Sequence, residues 1–322
     1  MPAAARRRRP VGSGVPVVAL GGGHGLAVTL RALRGVTDQL TAVVGMADDG
    51  GSSGRLRRDI GVPPPGDLRM ALAALCGDDP LGRQWASVLQ SRFHSSGPLN
   101  GHAIGNLLIE GIWQQFDAVQ GLDMVAGLLN VCGRVLPMSL ESLTIEADVI
   151  GADPLHPDEP VVVQGQHEVA VTSGDVAAVR LVPANPPACP EAIASVHDAD
   201  YIVLGPGSWF TSVLPHLLVP ELAEAIVSSS AHRILTLNIE PEEETKGIGA
   251  AQHLEILAEH APRLRFDAVV ADSSFGADDR NLRTFAGVLG AELVVADLRC
   301  CDGSARHDPQ RLAAVFRQVM GS

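Results

Sequence analysis

Short aliphatic runs recur along this chain, and several of them lead through a glycine-rich turn into a segment with helical spacing. Residues 15–20 (VPVVAL) are followed by the turn at 21–25 (GGGHG) and then by leucines spaced as on one face of a helix. Aromatic residues make up 3% of the 322 residues and hydrophobic residues 46%, so Ala, Val, Leu and Ile must form most of the core. Alternating β and α segments of this kind predict an α/β fold with a doubly wound, mostly parallel, Rossmann-like sheet.

The same alternation predicts where the elements lie. Strands are expected at 15–20, 40–46, 201–204, 233–238, 266–272 and 292–297, and helices at 26–34, 67–76, 81–93, 103–116, 122–131 and 308–320. Residues 47–66 are rich in Asp, Gly, Ser and Pro and predict a long loop. Short β-prone runs at 142–149, 161–163, 168–171 and 179–182 predict small antiparallel strands. We therefore expect a disordered basic tail at 1–14 and one domain over 15–322, with an inserted β region at about 140–185.

Charge and cysteine usage narrow the partners that the chain can have. The net charge of -13 disfavours a nucleic acid, because the phosphates would be repelled. The five cysteines, Cys76, Cys132, Cys189, Cys300 and Cys301, include no CxxC pair, so neither a zinc site nor a disulfide framework is expected. No apolar run approaches the length of a membrane span, and the arginines at 6–9 precede no signal-like segment. A cytoplasmic protein without membrane insertion is expected.

Two glycine-rich turns, at 21–25 and 205–208, each follow a predicted parallel strand. Glycines let the backbone approach a ligand closely, and the amides at the start of the next helix face an anion. The first turn is not a strict GxGxxG and lacks the lysine of a P-loop, and a tight turn without a ligand is the alternative. Two such turns at one sheet edge predict a ligand with more than one phosphate, or with phosphate at one end and sugar at the other.

Polar residues near these turns supply the other candidates. Asp48 or Asp49 could hold a ribose hydroxyl or recruit magnesium, although a capped turn explains part of the run at 47–54. Asp67 is expected to be a helix N-cap, and Arg69 could reach a phosphate. The acidic run after Asn238 is expected to be a solvated loop. Arg306 follows the last strand and could grip a diphosphate through two parallel hydrogen bonds, although a surface role is the alternative.

The sequence thus predicts a set of ligand-binding residues that share one sheet edge. They are Gly21, Gly22, Gly23, His24, Asp48, Asp49, Gly50, Ser52, Ser53, Asp67, Arg69, Asn106, Gly205, Gly207, Ser208, Thr211, Ser212, Asn238, Thr245 and Arg306. No GxSxG elbow, HExxH motif or Cys/His/Asn set is recognisable, so no catalytic residue and no required cofactor is assigned. Magnesium at Asp48 or Asp49 belongs to an enzymatic alternative.

Five ordered segments, at 21–25, 47–54, 64–69, 101–107 and 205–212, together resemble the gluconeogenesis factor family, the YvcK-type, CofD-like proteins. These proteins are relatives of the 2-phospho-L-lactate transferase of deazaflavin cofactor synthesis. The resemblance implies a cytoplasmic regulatory protein that binds UDP-sugars. It also implies a need for the protein in cell shape and in envelope and peptidoglycan synthesis during gluconeogenic growth. A homo-oligomer and regulatory protein partners are compatible with that role.

The chain departs from the family pattern at several places. His24 stands where Thr is usual, and Ala103 where Ser is common. Pro309 replaces a Thr that follows the Arg-His-Asp triplet, so a phosphorylation switch could not operate at that position. The main alternative function is a magnesium-dependent transferase of a phospho-lactate-like group. A nicotinamide-dependent oxidoreductase is a third possibility, which the Rossmann-like opening alone suggests.

Overall fold

The computed structural model describes residues 14–275 and 280–321. Its strands are β1 (Val17–Gly21), β2 (Leu40–Val44), β3 (Arg134–Pro137), β4 (Thr144–Ile150), β5 (Val161–Gln164), β6 (Asp175–Val182), β7 (Tyr201–Leu204), β8 (His232–Thr236), β9 (Ala268–Asp272) and β10 (Glu292–Ala296). Its helices are α1 (Gly23–Leu33), α2 (Gly51–Ile60), α3 (Gly66–Leu75), α4 (Pro80–Gln90), α5 (Ile104–Trp113), α6 (Ala118–Leu129), α7 (Gln166–Ala170), α8 (Pro190–Asp198), α9 (Pro220–Ser228), α10 (Ala250–His260), α11 (Arg280–Val288) and α12 (Pro309–Met320). The tail predicted at 1–14 lies outside the described residues, apart from Gly14.

Seven strands form one parallel sheet in the order β10-β9-β8-β7-β1-β2-β3. Val17 in β1 pairs with Leu40 on one side and with Tyr201 on the other. All residues of β1, β7 and β9 are buried, as expected for strands covered by helices on both faces. The predicted doubly wound α/β fold is confirmed. The chain adds strands to one side of β1 first and to the other side later, so the direction of winding changes between β1 and β7.

A smaller antiparallel sheet has the order β5-β4-β6 and confirms the predicted inserted strands. In β4 the buried and less buried residues alternate, because one face of the sheet packs inward. The strand predicted at 168–171 is wrong, since these residues lie in or just after α7. Asp49 explains the difference: its Oδ1 accepts a hydrogen bond of 3.0 Å from the backbone N–H of His167, at the start of this helical turn.

The long loop predicted at 47–66 is also wrong, because α2 occupies residues 51–60. Glycine and serine disfavour helix by propensity, but tertiary contacts outweigh that preference here. The Oγ of Ser52 accepts a hydrogen bond of 3.2 Å from the N–H of Ala103, and both Ser52 and Ser53 are buried. At Gly54 a Cβ atom would lie 1.9 Å from the carbonyl oxygen of Asp49, so a larger residue would not fit. The short edge strand β3 was not predicted.

Within the described ranges, no single helix combines the length and the apolar composition that a membrane crossing requires. The helical turns at Trp209–Leu217 and the following α9 meet that test when they are taken together, by length and composition alone. These two segments are bent by 74° relative to each other. The core around them includes Trp209, Phe210 and Leu214, each of which is at least 98% buried.

Candidate functional site

The glycine turns after β1 and β7 touch each other at the carboxyl edge of the sheet. A Cβ atom on Gly25 would lie 2.1 Å from the carbonyl oxygen of Pro206, and one on Gly207 would lie 4.0 Å from that of Gly22. Gly205 has a φ of 76°, in the left-handed region that favours glycine. The two predicted turns therefore lie together at one place on the sheet edge, which we call the crevice. It lies where the winding of the sheet reverses, which is the usual ligand position in folds of this class.

A buried carboxyl group lies directly behind the first turn. Asp67 is not the N-cap of α3: that position is occupied by Pro65, and Asp67 lies in the first turn of the helix. Its Oδ2 would be 2.5 Å from a Cβ atom on Gly22, and its carboxylate accepts a hydrogen bond from the backbone N–H of Gly23. Burial raises the pKa of Asp67 to about 7, and the nearby Asp48 adds to the increase. The capping prediction is wrong because this side chain turns toward the glycine backbone.

The neighbouring aspartates contact different parts of the protein. Asp48 accepts a hydrogen bond of 3.0 Å from the N–H of Gly50, and its Oδ2 would be 2.0 Å from a Cβ atom on Gly66. Asp49 instead contacts the start of α7 in the inserted region. In residues 14–275 and 280–321, no cluster of three or more His, Cys, Asp or Glu side chains is placed to hold a metal ion. The two aspartates therefore stabilise different segments, Asp48 the turn at Gly50 and Asp49 the start of α7.

Four predicted residues form a buried polar network that joins α2, α3 and α5. Arg69 Nε donates to Asn106 Oδ1 at 2.7 Å, and Asn106 Nδ2 donates to Ser53 Oγ at 3.2 Å. Ser52 Oγ lies 3.0 Å from His102 Nδ1. Burial lowers the pKa of Arg69, although the carboxylates of Asp48 and Asp67 oppose the effect. These side chains hold the helices that support the crevice.

The second turn is held by the loop that follows β8. Asn238 Nδ2 donates to the carbonyl oxygen of Gly207 at 2.9 Å, and its Oδ1 accepts from the N–H of Gly207 at 2.8 Å. Ser208 Oγ donates to Glu244 Oε1 and contacts Thr211 Oγ1. Glu244 is 3% exposed, and burial raises its pKa to about 7 against the effect of the Ser208 hydrogen bond. The prediction of a solvated acidic run is therefore wrong for Glu244.

The remaining predicted residues divide between the crevice and the loop. Ser212 Oγ would lie 3.5 Å from a Cβ atom on Gly22, so it faces the first turn. Thr245 is buried, and its Oγ1 donates to the carbonyl oxygen of Glu242 at 3.2 Å. Partial desolvation lowers the pKa of His24, and the positive charge of Arg306 is the next largest cause. Arg306 is exposed, and its charge acts on His24, so the two side chains lie near each other.

Comparison with known proteins shows the family of this chain. The model of the family described as "2-phospho-L-lactate transferase CofD" matches residues 17–302, which include both glycine turns. The chain belongs to the CofD family. A Mycobacterium tuberculosis relative named "Putative gluconeogenesis factor" is 50% identical over 308 residues, which cover 94% of this chain and 90% of the relative. A Listeria innocua relative named "Gluconeogenesis factor" is 34% identical, over 92% of this chain and 93% of the relative.

A solved structure shows the same fold. The crystal structure of a Bacillus halodurans protein of the UPF0052 family has a TM-score of 0.82 to this CofD-family chain and is 31% identical. The match covers 94% of this chain and 99% of the other. The similarity therefore extends over both the parallel sheet and the inserted antiparallel sheet.

Two residues of the CofD-family site escaped the sequence analysis. Gln166, from the inserted region, donates a hydrogen bond to Asp67 and so helps to hold the carboxyl behind the first turn. Glu244 approaches the second turn from the loop after β8. No motif marks Gln166, because the insertion brings it to the crevice from a distant part of the chain. Glu244 could have been predicted from the sequence, because it directly precedes the candidate Thr245 in the loop that follows a predicted strand.

Proposed function

We propose that this CofD-family protein binds a UDP-sugar in the crevice between β1 and β7 and acts as a regulatory protein without turning the ligand over. The observation that carries the proposal is the contact between the two glycine turns, in which Gly25 lies against Pro206. One diphosphate could reach the backbone amides of the first turn and the hydroxyls of the second from this position. Arg306 adds a guanidinium group that suits a diphosphate.

The naming of the relatives as gluconeogenesis factors supports a role connected with gluconeogenesis. We place the protein in the cytoplasm, where UDP-sugars supply envelope precursors. A regulatory protein that senses such a ligand would connect carbon supply to peptidoglycan synthesis and cell shape. We further propose that the protein has regulatory protein partners and forms a homo-oligomer. The proposal includes neither binding of a nucleic acid nor insertion into a membrane.

Titration calorimetry with UDP-glucose, UDP-N-acetylglucosamine, NAD and a deazaflavin, each with and without magnesium, tests the ligand class. We expect a UDP-sugar to bind most tightly. Gly22→Ala should weaken that binding, because its Cβ would lie 2.5 Å from Asp67 Oδ2, so that the turn or the Asp67 carboxyl group behind it must shift. Gly111→Ala in α5 is the matched control, since a Cβ there meets nothing within 4 Å. Wild-type protein that binds none of the UDP-sugars would contradict the proposal.

A second candidate function is a magnesium-dependent transferase of a phospho-lactate-type group. The matching family description favours it, as does the position of Asp67, whose raised pKa suits proton exchange near pH 7. Magnesium would then be held by Asp48 together with phosphate oxygens of the substrate, since such ions commonly take one or two carboxylates plus phosphates. Sustained release of UDP by pure protein, lost in Asp48→Asn, would favour the transferase over the regulatory function.

A further inference from the structure

Two buried nitrogen atoms that have no hydrogen-bond partner among the described residues belong to side chains that line the same narrow cleft. They are Nε1 of Trp209, which is 2% exposed, and Nε2 of His253, which is 7% exposed. The two rings meet edge to face, with centroids 5.0 Å apart and an interplanar angle of 85°. Buried polar atoms are normally paired, so two unpaired ones in one cleft indicate that something else pairs with them.

The chemistry of the two nitrogens is complementary. The indole Nε1–H of Trp209 can only donate. Nδ1 of His253 lies 2.9 Å from the carbonyl oxygen of Gly249, which can only accept, so Nδ1 carries the hydrogen. Burial lowers the pKa of His253 and keeps the ring neutral, so Nε2 offers a lone pair. The two side chains that line the cleft therefore offer one donor and one acceptor.

The walls of the cleft suit a flat ring. Besides Trp209 and His253 they include Leu237, Pro241 and Phe275, which offer apolar surface. The atom-free space is about 280 Å³ and is continuous with solvent, although only about 10 Å³ of it has room for the centre of a water molecule. The slot is narrow in this conformation, so a ring would enter only if its walls moved apart.

The cleft also adjoins the crevice described above. It lies at the carboxyl end of β8, which pairs with β7, and neighbouring strands are about 4.8 Å apart. Asn238 lines the cleft and holds the backbone of Gly207 in the second glycine turn. A ligand with its diphosphate between β1 and β7 could thus place a ring one strand further along the same edge.

We propose that this cleft binds the heterocycle of the ligand and selects a ring that presents a C=O and an N–H side by side on one edge. The C=O would accept from Trp209 Nε1, and the N–H would donate to His253 Nε2. Uracil has such an edge, with N3–H beside a carbonyl group. This inference rests on the proposed UDP-sugar function and adds the part of the site that reads the base.

A methyl group on N3 of the uracil ring removes the N–H, and so tests the predicted hydrogen bond to His253 Nε2 without altering the protein. Wild-type protein should bind UDP at least about 10-fold more tightly than 3-methyluridine diphosphate, because a site built for an N–H rejects an analogue that lacks it. Trp209→Phe keeps an aromatic ring but removes the donor, and it should weaken UDP binding by about 10-fold. Trp113→Phe is the matched control, because Trp113 Nε1 donates to the carbonyl oxygen of Ala118 at a distant site. Circular dichroism checks that both variants fold.

The outcomes separate this inference from the proposed function. If wild-type protein binds UDP and its N3-methyl analogue equally well, and Trp209→Phe binds UDP as wild type does, the base cleft is excluded while UDP-sugar binding stands. If no UDP-sugar binds, the proposed function fails. In that case, quenching of tryptophan fluorescence by uridine but not by 3-methyluridine would retain the cleft, and equal responses to the two nucleosides would exclude it.

Discussion

The buried carboxyl group of Glu110 should make the stability of this protein depend on pH. It lies in α5, its side chain is 3% exposed, and neither carboxylate oxygen has a hydrogen-bond partner among the described residues. Burial raises its pKa from 4.5 to about 7. Ionisation therefore costs more in the folded protein than in the unfolded chain, and replacement by glutamine should remove that pH dependence.

The sign and size of the effect follow from linkage between protonation and folding. Because the pKa of Glu110 is higher in the folded state, the folded protein binds more protons between pH 4.5 and about 7, and its stability falls as the pH rises through this range. The full change corresponds to about 3 kcal/mol. Between about pH 5.5 and about pH 8 the loss should be about 2 kcal/mol. Glu110→Gln lacks this pH-dependent loss of stability. Its unpaired amide lowers the free energy of unfolding by an amount that does not vary with pH.

Urea denaturation of wild type and Glu110→Gln at both pH values measures the difference. The variant should gain about 2 kcal/mol relative to wild type on going from about pH 5.5 to about pH 8. Comparing the two proteins at each pH cancels the contributions of other groups, such as Asp67 and Glu244, whose pKa values are also raised. Glu259→Gln on the exposed side of α10 is the control and should show no such gain. An unchanged difference between wild type and Glu110→Gln at the two pH values would refute the reasoning.

Two further substitutions test the crevice. Gly25→Ala should destabilise the fold by about 1–3 kcal/mol in urea denaturation and abolish ligand binding, because its Cβ would overlap the carbonyl oxygen of Pro206. Gly127→Ala is the control: its Cβ would meet open space, so the substitution should stabilise the fold by about 0.5–1 kcal/mol in the same assay. Arg306→Ala should lose about 2 kcal/mol of UDP-sugar binding in calorimetry with little change in stability, since its side chain is exposed. Arg263→Ala is the control on a distant surface, and equal affinities of wild type and Arg306→Ala would exclude Arg306 from the site.

Local patterns in the sequence were sufficient to identify the parallel sheet and the two glycine turns. Short, almost wholly aliphatic runs such as β1 and β7 are typical of parallel strands that are buried on both faces. Parallel strands must all end at the same edge of a sheet, so the turns after them were expected to meet there. The contact between Gly25 and Pro206 depends on that topology.

Tertiary packing decided the features that local patterns misjudged. The residues of α2 have the composition of a loop, and their helix is held by hydrogen bonds from Ala103 and Asn106, about fifty residues away in the chain. Asp67 has the sequence context of a cap, but α3 begins at Gly66 with Pro65 as its N-cap, so Asp67 lies inside the helix and its carboxyl group faces the glycine turn. Burial depends on which distant segments cover a side chain, so the raised pKa values of Asp67 and Glu244 could be determined only from the folded structure.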